Sequence, residues 1–181
     1  YRGTKQINNF FQTNGTNIDD DWARFLKENQ FLVGLSIDGD RISNDAHRLT
    51  RAGKSTFEDV MKGLETLKRH KVEFNTLTVV NAENVKRPLD VYQFLKRIGS
   101  RYMQFIPLVE RRAAQPDDNG LVLIQPDFSG QCSVTEWSVP ANAYGRFLNT
   151  IFDHWVQHDL GNVFVMNFEQ TLTKMTGQLS A

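Results

Sequence analysis

Apolar positions along the chain keep two alternating rhythms. Ile7 to Gln12, Phe31 to Ile37, Val72 to Val80 and Arg101 to Ile106 are short runs dense in apolar and β-branched residues, and they read as strands. The run Phe31–Ile37 is nearly continuous, as expected of a strand covered on both faces. Between these runs the spacing changes to three and four. Trp22, Phe25 and Leu26 follow Asp19, Asp20 and Asp21, whose acceptors and negative charge suit a helix N-terminus. Phe57, Val60, Met61, Leu64 and Leu67 form one helical face behind Ser55 or Thr56 as cap. Val91, Phe94 and Leu95 follow Pro88, which suits a first helical turn.

Strand, polar tip, helix, strand is the beat of a parallel β/α fold. In such folds ligands sit at the carboxyl ends of the strands. Gln12-Thr13-Asn14-Gly15, Ser36-Ile37-Asp38-Gly39, Thr78-Val79-Val80-Asn81 and Gln104-Phe105-Ile106-Pro107 are the four tips, and one rim should carry them all. The beat lapses between Pro107 and Pro140, where only Leu121–Ile124 suggests a short strand, and a loop of that length is usually functional or disordered. It resumes in an amphipathic helix from Ala141 to about His158, ended by Gly161. A strand at Val163–Met166 and a helix at Phe168–Met175 follow. The aromatic stripe Tyr144, Phe147, Phe152 and Trp155 is read as core. Crossovers between parallel strands are right-handed. The architecture expected is therefore one α/β domain over residues 1–181, part of a TIM-like β/α barrel, with a loop insertion near 109–139; a flat doubly wound sheet is the alternative. No Gly-x-Gly-x-x-Gly or Walker-type loop follows any strand, which weakens nucleotide readings built on those motifs.

Composition narrows the chemistry. With 21 basic and 21 acidic residues the formal net charge is zero, which argues against nucleic acid or an anionic membrane as main partner. No apolar stretch is long enough to span a bilayer. One cysteine, Cys132, excludes an internal disulfide and a self-contained cysteine metal site, and a reducing cytoplasm fits best. His47 and His158 have no spaced partner for a metal, and His70 and His154 fall on helices as surface or packing residues. The opening Tyr1-Arg2-Gly3, without Met or signal sequence, reads as an internal fragment of a longer protein.

The segments QTNGTNIDDDWARFLKENQFLVGLSIDG, KVEFNTLTVVN, RYMQFIPLVER and VTEWSVPANAYGRFLNTIFDHWVQHDLGNVFVMNFEQTL, in this order and spacing, resemble the anaerobic sulfatase-maturating enzymes. These are radical S-adenosylmethionine (SAM) proteins with a C-terminal SPASM domain. The resemblance covers nearly the whole chain and implies a partial (β/α)6 barrel of the radical SAM type, truncated at its N-terminus. It further implies reductive cleavage of SAM at a [4Fe-4S] cluster. The 5′-deoxyadenosyl radical then takes hydrogen from a cysteine or serine of a sulfatase polypeptide, whose oxidation gives Cα-formylglycine. An electron donor such as a flavodoxin or ferredoxin is implied as a partner. The CxxxCxxC cluster motif, the glycine-rich SAM segment and the SPASM cysteines of the family have no counterpart in these residues, so no metal ligand and no catalytic residue is expected here. The isolated 181-residue chain is accordingly expected to be catalytically inactive, with no turnover of SAM.

Three SAM contacts of the family map onto this sequence. Ser36 and Arg48, twelve residues apart, match the pair that holds the SAM carboxylate, and Leu108 matches a contact after the sixth strand of the barrel. A carboxylate in a partly dry pocket needs charge-assisted donors, and a guanidinium can grip both oxygens. Gln12, Asn14, Asn81 and Gln104 are candidates for the substrate-facing rim. The family pattern after GLSIDG, close to Gly-Pro-x-Glu-Ile-His-Asp-x-x-Arg, is altered: Asp40 stands for the proline and Asn44 for the histidine. Plainer readings stay open. Gln12–Gly15 reads equally as a strand end and turn, Ser36 as a packing residue, and Asp38 as a cap for the following segment. Arg48, with Arg51 and Lys54, reads as a solvated basic face. Glu110, Arg111 and Arg112 read as a substrate or domain contact or as an exposed loop start, and Cys132 as incidental. Two other functions compete: a radical SAM–SPASM enzyme acting on a ribosomal peptide, and a non-catalytic barrel used as a peptide-binding module. A metal-dependent barrel hydrolase is more distant, since no His or carboxylate cluster recurs at the strand ends.

Overall fold

A computed structural model describes residues 8–115, 123–124 and 128–177. In chain order the elements are β1 (Asn9–Thr13), α1 (Asp20–Glu28), β2 (Phe31–Ser36), α2 (Arg41–Asp45), α3 (Phe57–Arg69), β3 (Glu73–Val80), α4 (Pro88–Arg97), β4 (Tyr102–Pro107), β5 (Arg111–Ala113), β6 (Cys132–Val134), α5 (Ala141–His158), β7 (Phe164–Val165) and α6 (Met166–Met175). A 3₁₀ turn, Asn84–Lys86, precedes α4. The main sheet has the order β1-β2-β3-β4-β7, and every pairing is parallel. The antiparallel hairpin β5–β6 and the short helix α2 were not foreseen from the apolar pattern, because three to five residues cannot display a period. Within 107–140, Leu123 bridges Arg112, while the rest of the strand suggested at Leu121–Ile124 is Ile124 and residues outside those described.

Local signals explain the boundaries. Asp19 caps α1, accepting from the Trp22 N–H at 2.8 Å. Pro88 opens α4, where its missing N–H costs nothing. At α3 the expected caps divide their roles: Ser55 Oγ accepts from Phe57 N–H, while the Thr56 hydroxyl turns away to donate to the Arg48 carbonyl. Asp38 is not the cap of the segment after β2. That cap is Asp40, whose carboxylate accepts from Ser43 N–H at the start of α2.

The core lies between the sheet and the helices. Leu35, Ile37, Val80, Met103, Phe105 and Val165 from the strands meet Val60, Leu64, Leu95, Phe147, Ile151 and Trp155 from the helices. The stripe on α5 is therefore core, as its period required. A second cluster joins Leu26 and Ala23 of α1 to Val33 and Leu67. In α1 only Ala23 and Leu26 are buried. Trp22 and Phe25 stay half exposed, Trp22 stacked on Phe11. In β2, Val33, Leu35 and the following Ile37 are fully buried on the helix-facing side; on the other side Gly34 is buried and Leu32 and Ser36 are half buried. Alternation assigns Leu32, Gly34 and Ser36 to the opposite face of the sheet.

Two features hold the tips in place. Gly63 of α3 lies against the turn after β1, and a Cβ there would sit 2.1 Å from the Gly15 carbonyl oxygen, so only glycine allows the approach. On the edge away from β3, β4 has a strand partner only at Tyr102 and Met103, where it pairs with β7. Beyond that the side-chain amide of Asn167, from α6, takes the Phe105 N–H at 3.1 Å and donates to its carbonyl at 3.2 Å, completing the ladder that β7 is too short to extend.

At the far end of the helical layer, buried Asp159 accepts from Tyr92 Oη at 2.8 Å and Lys96 Nζ at 2.5 Å, tying α4 to the end of α5. Burial alone would push the Asp159 carboxyl up. The hydrogen bonds from Lys96 and Tyr92 outweigh it and hold the group below its ordinary value. Its stabilisation is thus complete above the unfolded carboxyl value of about 3.9 and is lost as pH falls through the depressed native one. Asp159→Asn is expected to cost about 2 kcal/mol at neutral pH. Urea melts from pH 7 down to 3 should then show the variant losing less stability on acidification than the parent.

Candidate functional site

β3 runs three residues past the end of β2. Ser36 pairs with Leu77, and Ile37 N–H still reaches the Leu77 carbonyl at 3.1 Å, but Thr78, Val79 and Val80 have no strand beyond it. Side chains take over. The Thr78 hydroxyl donates to the Ile37 carbonyl at 2.7 Å, and Asp38 Oδ1 accepts the Val79 N–H at 2.9 Å. Asn84 Nδ2 donates to the carbonyls of Asp38 and Val79 at 3.2 and 2.8 Å, and its Oδ1 accepts the Asn81 N–H. Asn81 Oδ1 in turn accepts the N–H groups of Glu83 and Asn84, an Asx turn that starts the 3₁₀ segment. Asn44 Oδ1 faces the Asp38 N–H at 3.5 Å. Asp38, Asn44, Asn81 and Asn84 are all buried, so this is a polar latch inside the protein, tolerable only because its members satisfy one another.

Arg48 docks on the latch from the loop between α2 and α3. Nε lies 2.7 Å from Asp38 Oδ2 and Nη2 lies 3.0 Å from Asp38 Oδ1, a two-point, side-on pair. The backbone of Arg48 is fixed as well: its N–H donates to the Asn44 carbonyl and its carbonyl accepts from Thr56. Of the five guanidinium N–H groups the pair uses two. Both on Nη1 and one on Nη2 have no partner among the described residues, and the side chain stays 23% exposed. Arg48 is therefore not part of a solvated basic face. Asp40 pairs with Arg87 at 2.9 Å, fastening α2 to the start of α4. Burial raises the Asp40 carboxyl, but hydrogen bonds from Ser43 and Arg87 bring it below its ordinary value. The two departures at Asp40 and Asn44 thus both have structural partners here.

The remaining candidates distribute unevenly. Gly34 lies beside Gln12 and Asn75, and a Cβ on it would approach Gln12 Cγ and Asn75 Oδ1, so these share the face away from the helices. By register, Ser36, Leu77 and Gln104 form the next row on that face, and Asn14 follows Gln12 at the tip of β1. Ser36 Oγ has no hydrogen bond among the described residues and is half buried. Asn14 Oδ1 is occupied by the N–H and hydroxyl of Thr16. Asn81 is buried in the latch, and its side-chain oxygen is taken by backbone donors. Leu108 is half buried; its N–H donates to the Val80 carbonyl and its carbonyl accepts from Val139. A cavity of about 670 Å³ opens at the opposite, amino end of β2–β4, lined by Leu32, Asn75, Tyr102 and Gln104 among others; it takes in neither Ser36 nor Arg48. Among the described residues no group of three or more His, Cys, Asp or Glu could hold a metal. Glu110 accepts from the Trp137 indole, and Cys132 is exposed on β6.

Asn84 was not among the residues named by sequence reasoning, and Asp38 was named only as a cap, not as a site residue. A cue was available in the pair Asn81-x-x-Asn84 at a strand end, the spacing at which two amides can hold each other's turn.

Residues 2–95 match the family model of the Radical SAM superfamily, and the chain belongs to that superfamily. More particularly, it is 41% identical over 178 residues to a serine-type anaerobic sulfatase-maturating enzyme of Bacteroides thetaiotaomicron, covering 98% of this chain and 42% of the relative. It is 38% identical over 169 residues to a cysteine-type enzyme of Clostridium novyi, covering 90% and 40%. A solved structure described as native anSMEcpe with bound AdoMet superposes with a TM-score of 0.80 at 32% identity, over 97% of this chain and 44% of that one. The chain thus spans less than half the length of these relatives, and the α/β fold expected from its apolar rhythm, part of a radical SAM barrel, is the one found. No helix among the described residues is long and apolar enough to cross a membrane.

Asn84→Ala would leave the Val79 and Asp38 carbonyls and the Asn81 N–H without their partner in a buried site. The expected cost is about 3 kcal/mol, read as a fall in the urea midpoint at unchanged slope.

Proposed function

We propose that this chain is the SAM-positioning segment of a radical SAM oxidoreductase that converts a cysteine or serine of a sulfatase to Cα-formylglycine. The observation that carries the reading is the Arg48 guanidinium, fixed on one side by Asp38 and presenting three N–H groups with no partner among the described residues, near the strand end that carries Ser36. These residues fit the amino-acid moiety of SAM. A carboxylate needs donors that are charged, oriented and partly shielded, and Arg48 has all three properties. Ser36 adds a hydroxyl with no competing partner among the described residues, and Leu108 contributes packing, its N–H being already committed to Val80. When bound and cleaved reductively at a [4Fe-4S] cluster, SAM supplies the 5′-deoxyadenosyl radical for hydrogen abstraction. The part of these residues is to bind and orient, which aims the scissile bond and shields it from water.

The substrate rim is assigned to Gln12, Asn14 and Gln104 on the sheet face that the helices leave open, with the sulfatase polypeptide as partner. Asn81 acts there only through the latch, since its oxygen is already committed to backbone donors. The cluster ligands and the electron-donor contact belong to other parts of the complete protein. The likeness to both serine- and cysteine-type enzymes supports the reaction class and leaves the target residue to experiment.

In the complete protein Ser36→Ala is expected to weaken SAM binding about fivefold and Arg48→Ala by more than about tenfold, the range of one neutral and one charge-assisted hydrogen bond. Equilibrium dialysis with SAM measures both, and unchanged affinity in Arg48→Ala removes that residue from the site. Formation of a hydrazide-trappable aldehyde on a sulfatase peptide, under reducing conditions, tests the reaction.

A further inference from the structure

We propose that Asp38 is a positioning residue for the cofactor: it does not touch SAM but holds Arg48 in the one orientation that presents the guanidinium to the SAM carboxylate. The inference rests on the assignment of Arg48 to that carboxylate. Its basis is the mismatch between how firmly the two partners are held. Asp38 is held at several points, with one carboxylate oxygen on the Val79 N–H and its main-chain carbonyl on Asn84, and its side chain is almost fully buried. Arg48 reaches it from a loop, across a long side chain with several rotatable bonds. Only the side-on pair through Nε and Nη2 fixes the plane of the guanidinium, and that edge leaves the Nη1–Nη2 end free for a second carboxylate.

Charge points the same way. SAM carries a carboxylate, an ammonium and a sulfonium, so its net charge is positive. An uncompensated Arg48 would attract the carboxylate while repelling the rest of the molecule. Paired with Asp38 it is a neutral unit that recognises the carboxylate by directed hydrogen bonds. Losing the Asp38 charge therefore loses both the aim and the compensation.

The test uses the complete, cluster-containing protein and SAM binding by equilibrium dialysis. Asp38→Asn keeps an oxygen for the Val79 N–H and removes the anion. It is expected to weaken SAM about tenfold, the scale of one charge-assisted contact. In Arg48→Ala the same change should cost nothing further, because a residue that acts only through Arg48 has no effect once Arg48 is gone. Wild-type or tighter binding by Asp38→Asn, with Arg48→Ala weakened, overturns the inference and leaves the Arg48 assignment standing. Additive losses in the double variant also overturn it, since Asp38 would then act by another route. Unchanged affinity in Arg48→Ala overturns both. Should Asp38→Asn fail to fold, Arg48→Lys does not replace it, since that variant reads Arg48 itself. The deciding change is then Asp38→Glu, which keeps the charge and moves the carboxylate by one methylene: weakened SAM binding that disappears in the Arg48→Ala background supports the inference, and wild-type binding overturns it.

Discussion

The pair between Asp38 and Arg48 is the constraint on which the rim depends. It sits where a parallel sheet is weakest, at the carboxyl tip of a strand whose neighbour continues without it. β3 outlasts β2, and its last backbone groups would be buried and unpaired. Asp38 and Asn84 satisfy them, and in doing so they place a carboxylate at a fixed point just past Ser36. A buried carboxylate needs a counter-charge, and Arg48 supplies it. One local requirement, the pairing of orphaned backbone at a strand tip, thus yields an oriented guanidinium at the rim.

The surrounding fold serves that arrangement. Helices cover one face of the sheet and form the core, while Gln12, Gly34, Ser36 and Gln104 line the other. Gly63 lets the turn after β1 rest on α3, Asn167 closes the ladder of β4, and Asp159 ties α4 to α5. Asp40 and Arg87 hold α2 against α4, which keeps the loop that carries Arg48 in register with the latch. The fold that carries this arrangement superposes over almost the whole chain on a solved relative described with bound AdoMet.

The long elements were legible in the sequence because their periods are long. The helices α3, α4 and α5 and the strands β2–β4 lie within a residue or two of where apolar spacing, Ser55 or Thr56 as cap, and Pro88 put them. The hairpin β5–β6 and helix α2 were not, since so few residues carry no periodicity. A continuous apolar run such as that of β2 records composition and not which face meets helices. At the site, Ser36, Arg48 and Leu108 came from a family resemblance, and residue type alone did not set them apart from packing residues. Asp38 looked like a helix cap because capping and ladder completion ask the same thing of an aspartate, an oxygen beside a backbone N–H. Only the tertiary neighbour, Val79 in place of the next helix, separates the two. Asn81, picked as a rim residue, is turned inward by an Asx turn that its own sequence context, Asn-x-x-Asn, invites.

The most direct measurement is a crystal structure of the complete protein with SAM bound. The account predicts the SAM carboxylate within hydrogen-bond distance of Arg48 Nη1 or Nη2 and of Ser36 Oγ, with the Asp38–Arg48 pair intact through Nε. A SAM carboxylate held by other residues, or Arg48 swung off Asp38 to reach it, would contradict the account.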